Sequence, residues 1–177
     1  MTATTVLLLP GYGDSGPEHW QSVWERRFGY TRVEQDDWLE PVVEDWVRTL
    51  DRAVAAQRAP VVLVAHSLGC ALAVRWASTA PAGRVRAALM VAPADVESDA
   101  HTPDEVRSFA PLPTARLPFP SVLVASEDDP FMRVDRARWF AARWGSRFVS
   151  VGARGHLNAE SGIGDWPEGH RLLEELL

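Results

Sequence analysis

Six short apolar runs recur along the chain between longer amphipathic segments. Several of these runs are almost continuously apolar over four to six residues, which is typical of strands that helices cover on both faces of a parallel sheet. We predict strands over residues 5–9, 31–35, 61–65, 86–92, 121–126 and 147–152. A sheet of this kind needs helices packed on both of its faces.

The segments between these runs have apolar residues at helical spacing. The clearest example carries Trp46, Leu50 and Val54 along one stripe. We predict helices over residues 18–28, 42–57, 68–79, 134–144 and 167–177. Strands that alternate with helices through right-handed crossovers predict a doubly wound α/β sandwich. With 177 residues, of which 46% are hydrophobic, we expect a single domain over residues 1–177.

Composition excludes several functional classes. The net charge of −6 does not favour a nucleic-acid partner. All 18 basic residues are arginines, so lysine-dependent sites such as a Walker phosphate loop or a pyridoxal Schiff base are excluded. Cys70 is the only cysteine, so no intrachain disulfide or thiolate cluster can form. The first apolar run is too short for a signal peptide or a membrane span, and we expect a cytoplasmic protein.

The third predicted strand leads directly into a sharp turn and a helix of small residues. This arrangement is typical of a nucleophile elbow, with Ser67 as the nucleophile. The small residues two before and two after the serine are Ala65 and Gly69, where the usual motif has glycine at both positions. A simpler interpretation is that Ser67 only caps the helix that follows. The backbone N–H of Leu68 begins that helix and is a candidate oxyanion donor.

In this type of hydrolase an acid and then a histidine follow the serine, each after a later strand. Asp128 and Asp129 follow the fifth predicted strand, and Asp95 follows the fourth. Position alone does not separate Asp128 from Asp129, since either can serve as a turn residue. His156 follows the sixth strand and is the predicted general base.

The other four histidines are in less suitable places. His66 is adjacent to the serine within the turn, and His101 lies in a proline-rich connection. His19 and His170 fall on predicted helices. We therefore assign none of these four to the reaction.

A glycine-rich loop offers a competing interpretation. Residues 11–16 read GxGxxG after the first strand, with Asp36 about twenty residues further on, as in a dinucleotide-binding fingerprint. However, Gly16 precedes Pro17, and a residue before proline avoids helical dihedrals, so the helix begins after the glycines. In a hydrolase, this loop supplies a second oxyanion donor, which by position is the Tyr12 N–H.

Five motifs distributed over nearly the whole chain support the hydrolase interpretation together. They are PGYGDSGPEHW, DDWLEP, AHSLG, SEDDPF and GARGH. With them the sequence resembles the small α/β-hydrolases of the retinoblastoma-binding protein 9 serine-hydrolase family. The resemblance implies a minimal α/β-hydrolase fold with a six-stranded parallel sheet. It also implies a catalytic triad of Ser67, His156 and the aspartate before the proline, Asp129.

The sequence therefore predicts a metal-independent serine hydrolase that uses no cofactor. The connection over residues 95–120 has room for at most a short helix, so we expect little cap and small carboxylic esters as substrates. Amides and thioesters are alternatives. A second hypothesis is a binding module that keeps the fold but has weak or no turnover. We expect a monomer with a small-molecule partner and neither nucleic acid nor membrane.

Overall fold

The computed structural model describes residues 4–79 and 82–177, and its six strands form one sheet. The strand order is β2-β1-β3-β4-β5-β6, and neighbouring strands are parallel. The strands are β1 (Thr5–Leu9), β2 (Thr31–Arg32), β3 (Val61–His66), β4 (Val85–Val91), β5 (Ser121–Ala125) and β6 (Arg147–Ser150). The helices are α1 (Trp20–Phe28), α2 (Val43–Ala55), α3 (Leu68–Thr79), α4 (Val134–Trp144) and α5 (Pro167–Glu174). The predicted α/β fold with a parallel sheet is confirmed.

Helices cover both faces of this sheet, which explains the continuous apolar runs. Side chains alternate between the faces of a strand, so in β3 Leu63 belongs to the core cluster that contains residues of α2, α3 and α4. Val62 and Val64 belong to the cluster on the other face, which contains residues of α1 and α5. All six residues of β3 are consequently buried. Among the helices of residues 4–79 and 82–177, none combines the length and apolarity that a membrane span requires.

Some boundaries differ from the sequence-based prediction. Strand β2 covers only Thr31–Arg32 because it is an edge strand with β1 as its sole neighbour. Helix α1 begins at Trp20 because His19 is still extended and caps the helix, its Nδ1 accepting the Gln21 N–H at 3.1 Å. Helix α5 ends at Glu174. The β4–β5 connection contains a 3₁₀ helix, Asp104–Phe109, consistent with the short helix expected there.

The chain reverses its direction of travel across the sheet at β1. Strand β2 lies on one side of β1 and β3 on the other, so the loops after β1 and β3 diverge at a crevice. In open α/β sheets ligands bind at this point, beyond the carboxyl ends of the strands. We therefore expect the functional site at the loops that follow Leu9 and His66.

Gly69 allows α3 to start close to the end of β1. A Cβ atom at Gly69 would lie 2.1 Å from the carbonyl oxygen of Leu9, a distance that no side chain can occupy. Ala65, by contrast, is fully buried within β3 and pairs in register with Leu9 and Met90. The departure from the usual glycine at position 65 is therefore accommodated, whereas position 69 requires glycine.

We expect Gly69→Ala to destabilise the fold by about 3 kcal/mol, because the added methyl group collides with backbone rather than with a movable side chain. Urea denaturation of the purified variant measures the loss. Gly83→Ala is the matched control, since a Cβ atom at Gly83 meets nothing within 4 Å. Equal stability of the two variants would show that α3 does not need this close approach.

Candidate active site

Ser67 lies in the sharp turn between β3 and α3. Its φ of 55° is in the left-handed region, which is uncommon for a non-glycine residue and is found at strained functional turns. The turn is held on both sides, because the Ser67 N–H donates to the Val91 carbonyl and the Ser67 carbonyl accepts from the Cys70 N–H, each at 3.0 Å. The serine hydroxyl is thereby presented to a pocket.

His156 bridges Ser67 and Asp129. Its Nε2 lies 2.8 Å from Ser67 Oγ, and its Nδ1 lies 2.9 and 3.0 Å from the two Asp129 carboxylate oxygens. Because a carboxylate only accepts hydrogen bonds, Nδ1 carries the hydrogen and Nε2 keeps a lone pair for the serine O–H. This is the arrangement in which a histidine can remove the proton of a serine.

The three candidate acids occupy different positions. Asp129 contacts His156 and is held by the Phe131 N–H, which donates to Oδ1 at 2.9 Å. Asp128 accepts hydrogen bonds from Ser126 Oγ and from the Gly155 N–H, and these bonds lower the pKa of its carboxyl. Asp95 lies farther off and pairs with Arg136. Asp128 therefore holds the loop that carries His156, whereas Asp129 contacts the ring itself.

The loop after β1 lies directly against the elbow. A Cβ atom at Gly11 would lie 2.8 Å from Ser67 Cβ and 3.1 Å from the Leu68 nitrogen. Tyr12 and Leu68 both line the pocket. Among the backbone hydrogen bonds of turns and loops in residues 4–79 and 82–177, neither the Tyr12 N–H nor the Leu68 N–H donates to a carbonyl. Helix α1 begins at Trp20 rather than at the glycines, unlike the helix of a dinucleotide site.

Two further histidines, His66 and His19, lie near the candidate triad. The His66 Nε2–H donates to the backbone carbonyl of His156 at 2.9 Å, and the two rings are 4.8 Å apart. The ring of His19 lies 4.7 Å from that of His66. Their positions in the sequence are the signal that could have indicated this: His66 directly precedes Ser67, and His19 directly precedes α1.

Burial keeps both of these histidines neutral. It lowers the pKa of His66 well below its usual value, with smaller contributions from the neighbouring His19 and His156. It lowers the pKa of His19 to about 3, aided by His156 and Arg32. Two uncharged imidazoles therefore lie next to the imidazole of His156.

A pocket of about 370 Å³ opens in front of Ser67 and His156. One wall comes from the β4–β5 connection, and the edge of Phe131 packs on His156 at 4.5 Å between ring centroids. The lining side chains with formal charge are the carboxylates of Asp14 and Glu160. Within residues 4–79 and 82–177, no three His, Cys, Asp or Glu side chains converge in a group that could hold a metal ion. The pocket is also lined by Gly11, His19, His66, Ala94, Thr102, Pro103, Val106 and Asn158.

Comparison with known families agrees with this geometry. A family model described as serine hydrolase matches residues 6–175. The chain belongs to the serine hydrolase family. No significantly similar sequence was found among curated proteins.

Solved structures of related proteins show the same fold. A YdeN-like hydrolase from Pectobacterium atrosepticum is 35% identical, with 98% of this chain and 90% of that chain covered and a TM-score of 0.88. The ydeN gene product of B. subtilis is 20% identical, with 98% of both chains covered and a TM-score of 0.78. The type II thioesterase BorB from the borrelidin biosynthetic cluster is 20% identical, with 99% and 92% covered and a TM-score of 0.66. The chain thus has the compact fold of the α/β hydrolases.

The neutral histidines predict a dependence of stability on pH. Because the pKa of His19 falls from 6.5 to about 3 on folding, the unfolded chain binds a proton that the folded protein does not bind between these values. Stability is therefore highest above about pH 6.5 and is lost as the pH falls, by about 1.4 kcal/mol per pH unit for His19. His66 contributes in the same direction.

Urea denaturation of the wild-type protein and of His19→Asn at pH 7, 6 and 5 measures this effect. We expect the slope of stability against pH to be lower in the variant by about 1.4 kcal/mol per pH unit below pH 6. The carboxylates titrate in both proteins and do not affect the difference. Parallel slopes would contradict a neutral buried His19.

Proposed function

We propose that this protein is a serine hydrolase that cleaves small carboxylic esters through an acyl-enzyme, with Ser67 as nucleophile, His156 as general base and acid, and Asp129 as the residue that orients His156. The observation that supports this assignment best is the unbroken chain of hydrogen bonds from Asp129 through His156 to Ser67 Oγ. We also infer that, within the serine hydrolase family, the chain belongs to the retinoblastoma-binding protein 9 group. This inference rests on the five sequence motifs.

In the first half of the reaction, Ser67 Oγ attacks the ester carbonyl carbon as its proton moves to His156 Nε2. The carbonyl oxygen becomes an oxyanion, and we assign its stabilisation to the backbone N–H groups of Leu68 and Tyr12. When the tetrahedral intermediate collapses, the C–O bond to the alcohol breaks and His156 Nε2 gives its proton to the departing oxygen. An acyl-Ser67 ester remains, and the alcohol leaves.

In the second half, water replaces the alcohol and the same steps run in reverse. His156 Nε2 takes a proton from the water as its oxygen attacks the acyl carbon, and then returns that proton to Ser67 Oγ. The carboxylic acid is released. The negative charge of Asp129, held against Nδ1 throughout, stabilises the positive charge that His156 carries in both halves.

The pocket supports a small, uncharged substrate. Its volume of about 370 Å³ is at the lower end of ligand pockets. Of the two carboxylates on its lining, Asp14 is paired with Arg32, and Glu160 disfavours acyl groups that carry a carboxylate or phosphate. Thioesters are a second candidate class, because BorB is a thioesterase with this fold. A screen of matched oxygen esters and thioesters distinguishes the two.

The nucleophile is tested without knowledge of the substrate by labelling with a fluorophosphonate probe. We expect the wild-type protein to be labelled and Ser67→Ala to show no label, because only an activated serine hydroxyl reacts with the probe. Circular dichroism checks that the variant is folded. A folded wild-type protein that takes no label would favour the binding-module hypothesis.

The choice of acid is tested with two neighbouring variants. Asp129→Asn should lower kcat/KM by about 10³- to 10⁴-fold, because an amide no longer fixes the tautomer of His156 or balances its charge. Asp128→Asn is the matched control and should cost less than about tenfold, since the asparagine Oδ1 can still accept from Ser126 Oγ and the Gly155 N–H. Similar losses in the two variants would exclude Asp129 as the orienting acid.

A further inference from the structure

His19 lines the active-site pocket, but the proposed reaction does not use it. It lies at the end of the β1–α1 loop, is 5% exposed, and packs against His66, with the ring centroids 4.7 Å apart. An imidazole is a costly residue to bury unless its polar atoms have partners. The partners of its two nitrogens therefore indicate what it can do.

The capping hydrogen bond fixes the tautomer of His19. Its Nδ1 accepts the Gln21 N–H at 3.1 Å, so Nδ1 carries no hydrogen. A neutral imidazole has one N–H, which in His19 must then be at Nε2. With a pKa lowered to about 3, chiefly by burial, the ring keeps this tautomer at neutral pH.

The Nε2–H group has no protein acceptor among the described residues. The capping bond at Nδ1 is the one hydrogen bond that the His19 side chain makes there. Within residues 4–79 and 82–177, Gln35 Oε1 is the only side-chain polar atom that is both sealed from solvent and without a partner. His19 Nε2 is therefore not sealed, and it opens to the pocket that the ring lines.

The ring is held firmly in this orientation. Besides the cap, it packs against Trp20 with ring centroids 5.3 Å apart. The fully buried Gln21 anchors the start of α1, because its Nε2 donates to the carbonyls of Leu9 and Val64 at 3.2 and 3.1 Å. A donor fixed in this way loses little conformational entropy when a ligand binds to it.

We propose that His19 is a substrate-binding residue that donates its Nε2–H to an oxygen of the bound ester other than the scissile carbonyl oxygen. The oxyanion donors Leu68 and Tyr12 are assigned to that carbonyl, so the His19 donor serves a second polar group on the acyl or alcohol part. The substrate class is therefore esters with an ether, hydroxyl or second carbonyl oxygen rather than purely alkyl esters. This role rests on the serine hydrolase function proposed above.

The test uses matched pairs of esters in which an ether oxygen replaces one methylene group. One series varies the acyl chain, beginning with butyrate and methoxyacetate, and the other varies the alcohol. Dividing kcat/KM of each ether ester by that of its methylene partner gives a preference ratio. In His19→Asn we expect this ratio to fall about three- to tenfold for at least one position, which corresponds to one neutral hydrogen bond.

Two further variants separate binding from structure. Asparagine places its side-chain oxygen near the position of Nδ1 and keeps the cap, whereas glutamine places its amide near Nε2 and keeps the donor. His19→Gln should therefore retain more of the preference ratio than His19→Asn, although it has the lower melting temperature. His170→Asn makes the same chemical change on α5, outside the pocket lining, and should leave the ratio unchanged.

A purely structural role for His19 gives the opposite order, with His19→Asn close to wild type and His19→Gln impaired. That result would overturn the proposal, as would an unchanged ratio at every position in both series. Fluorophosphonate labelling of Ser67 in each variant shows whether the triad is intact. If the wild-type protein neither labels nor hydrolyses any of the esters, the serine hydrolase function itself is wrong, and the role of His19 falls with it.

Discussion

The close approach of the α3 N-terminus to the end of β1 is the contact on which the active site depends. Gly69 permits it by leaving room for the Leu9 carbonyl, and Gly11 permits the reciprocal approach of the β1–α1 loop to Ser67. Without both glycines the loop and the elbow would separate. The Tyr12 and Leu68 N–H groups could then no longer face the same point in the pocket. Because Gly69 and Gly11 have no side chains, the candidate nucleophile and its candidate oxyanion donors can lie close together.

The electrostatics of the site follow from what surrounds His156. In the proposed mechanism this ring gains a positive charge, and a second cation nearby would oppose that step by Coulomb repulsion. His66 lies 4.8 Å from His156 between ring centroids, His19 lies 4.7 Å from His66, and burial keeps both uncharged. In that mechanism the carboxylate of Asp129, 2.9 Å from Nδ1, supplies the negative charge that stabilises the charged ring. Asp128 has a different function, since it fixes the backbone at Gly155.

Much of this arrangement could be predicted from the sequence because it depends on local patterns. The boundaries of α3 and α4 match the predicted ones. The small residues of α3 follow the elbow directly, and the amphipathic pattern of α4 ends just before Gly145. Strand β2 was overestimated because an edge strand has a neighbour on one side only and its sequence pattern does not show this. The order of serine, aspartate and histidine after β3, β5 and β6 indicated where the candidate site lies.

Features that depend on tertiary contacts could not be predicted in this way. Adjacent aspartates in a turn differ only in the direction that the backbone gives them, so spacing did not separate Asp128 from Asp129. His19 lies one residue before α1, and the direction of its Nε2 depends on how the ring packs against His66, which is distant in sequence. A buried neutral histidine has no signature of its own in a sequence.

The β4–β5 connection has a consequence for how this scaffold can evolve. It forms one wall of the pocket. Its first residues are held to α4, because Arg136 forms ion pairs with Asp95 and Glu97. The Glu97 carboxylate also accepts a hydrogen bond from the Leu112 N–H at 2.8 Å. Lengthening a surface loop costs little closure entropy, about 0.6 kcal/mol for each doubling. Insertions between these anchors would therefore enlarge the cap and change the range of substrates while the sheet and the reacting groups keep their positions.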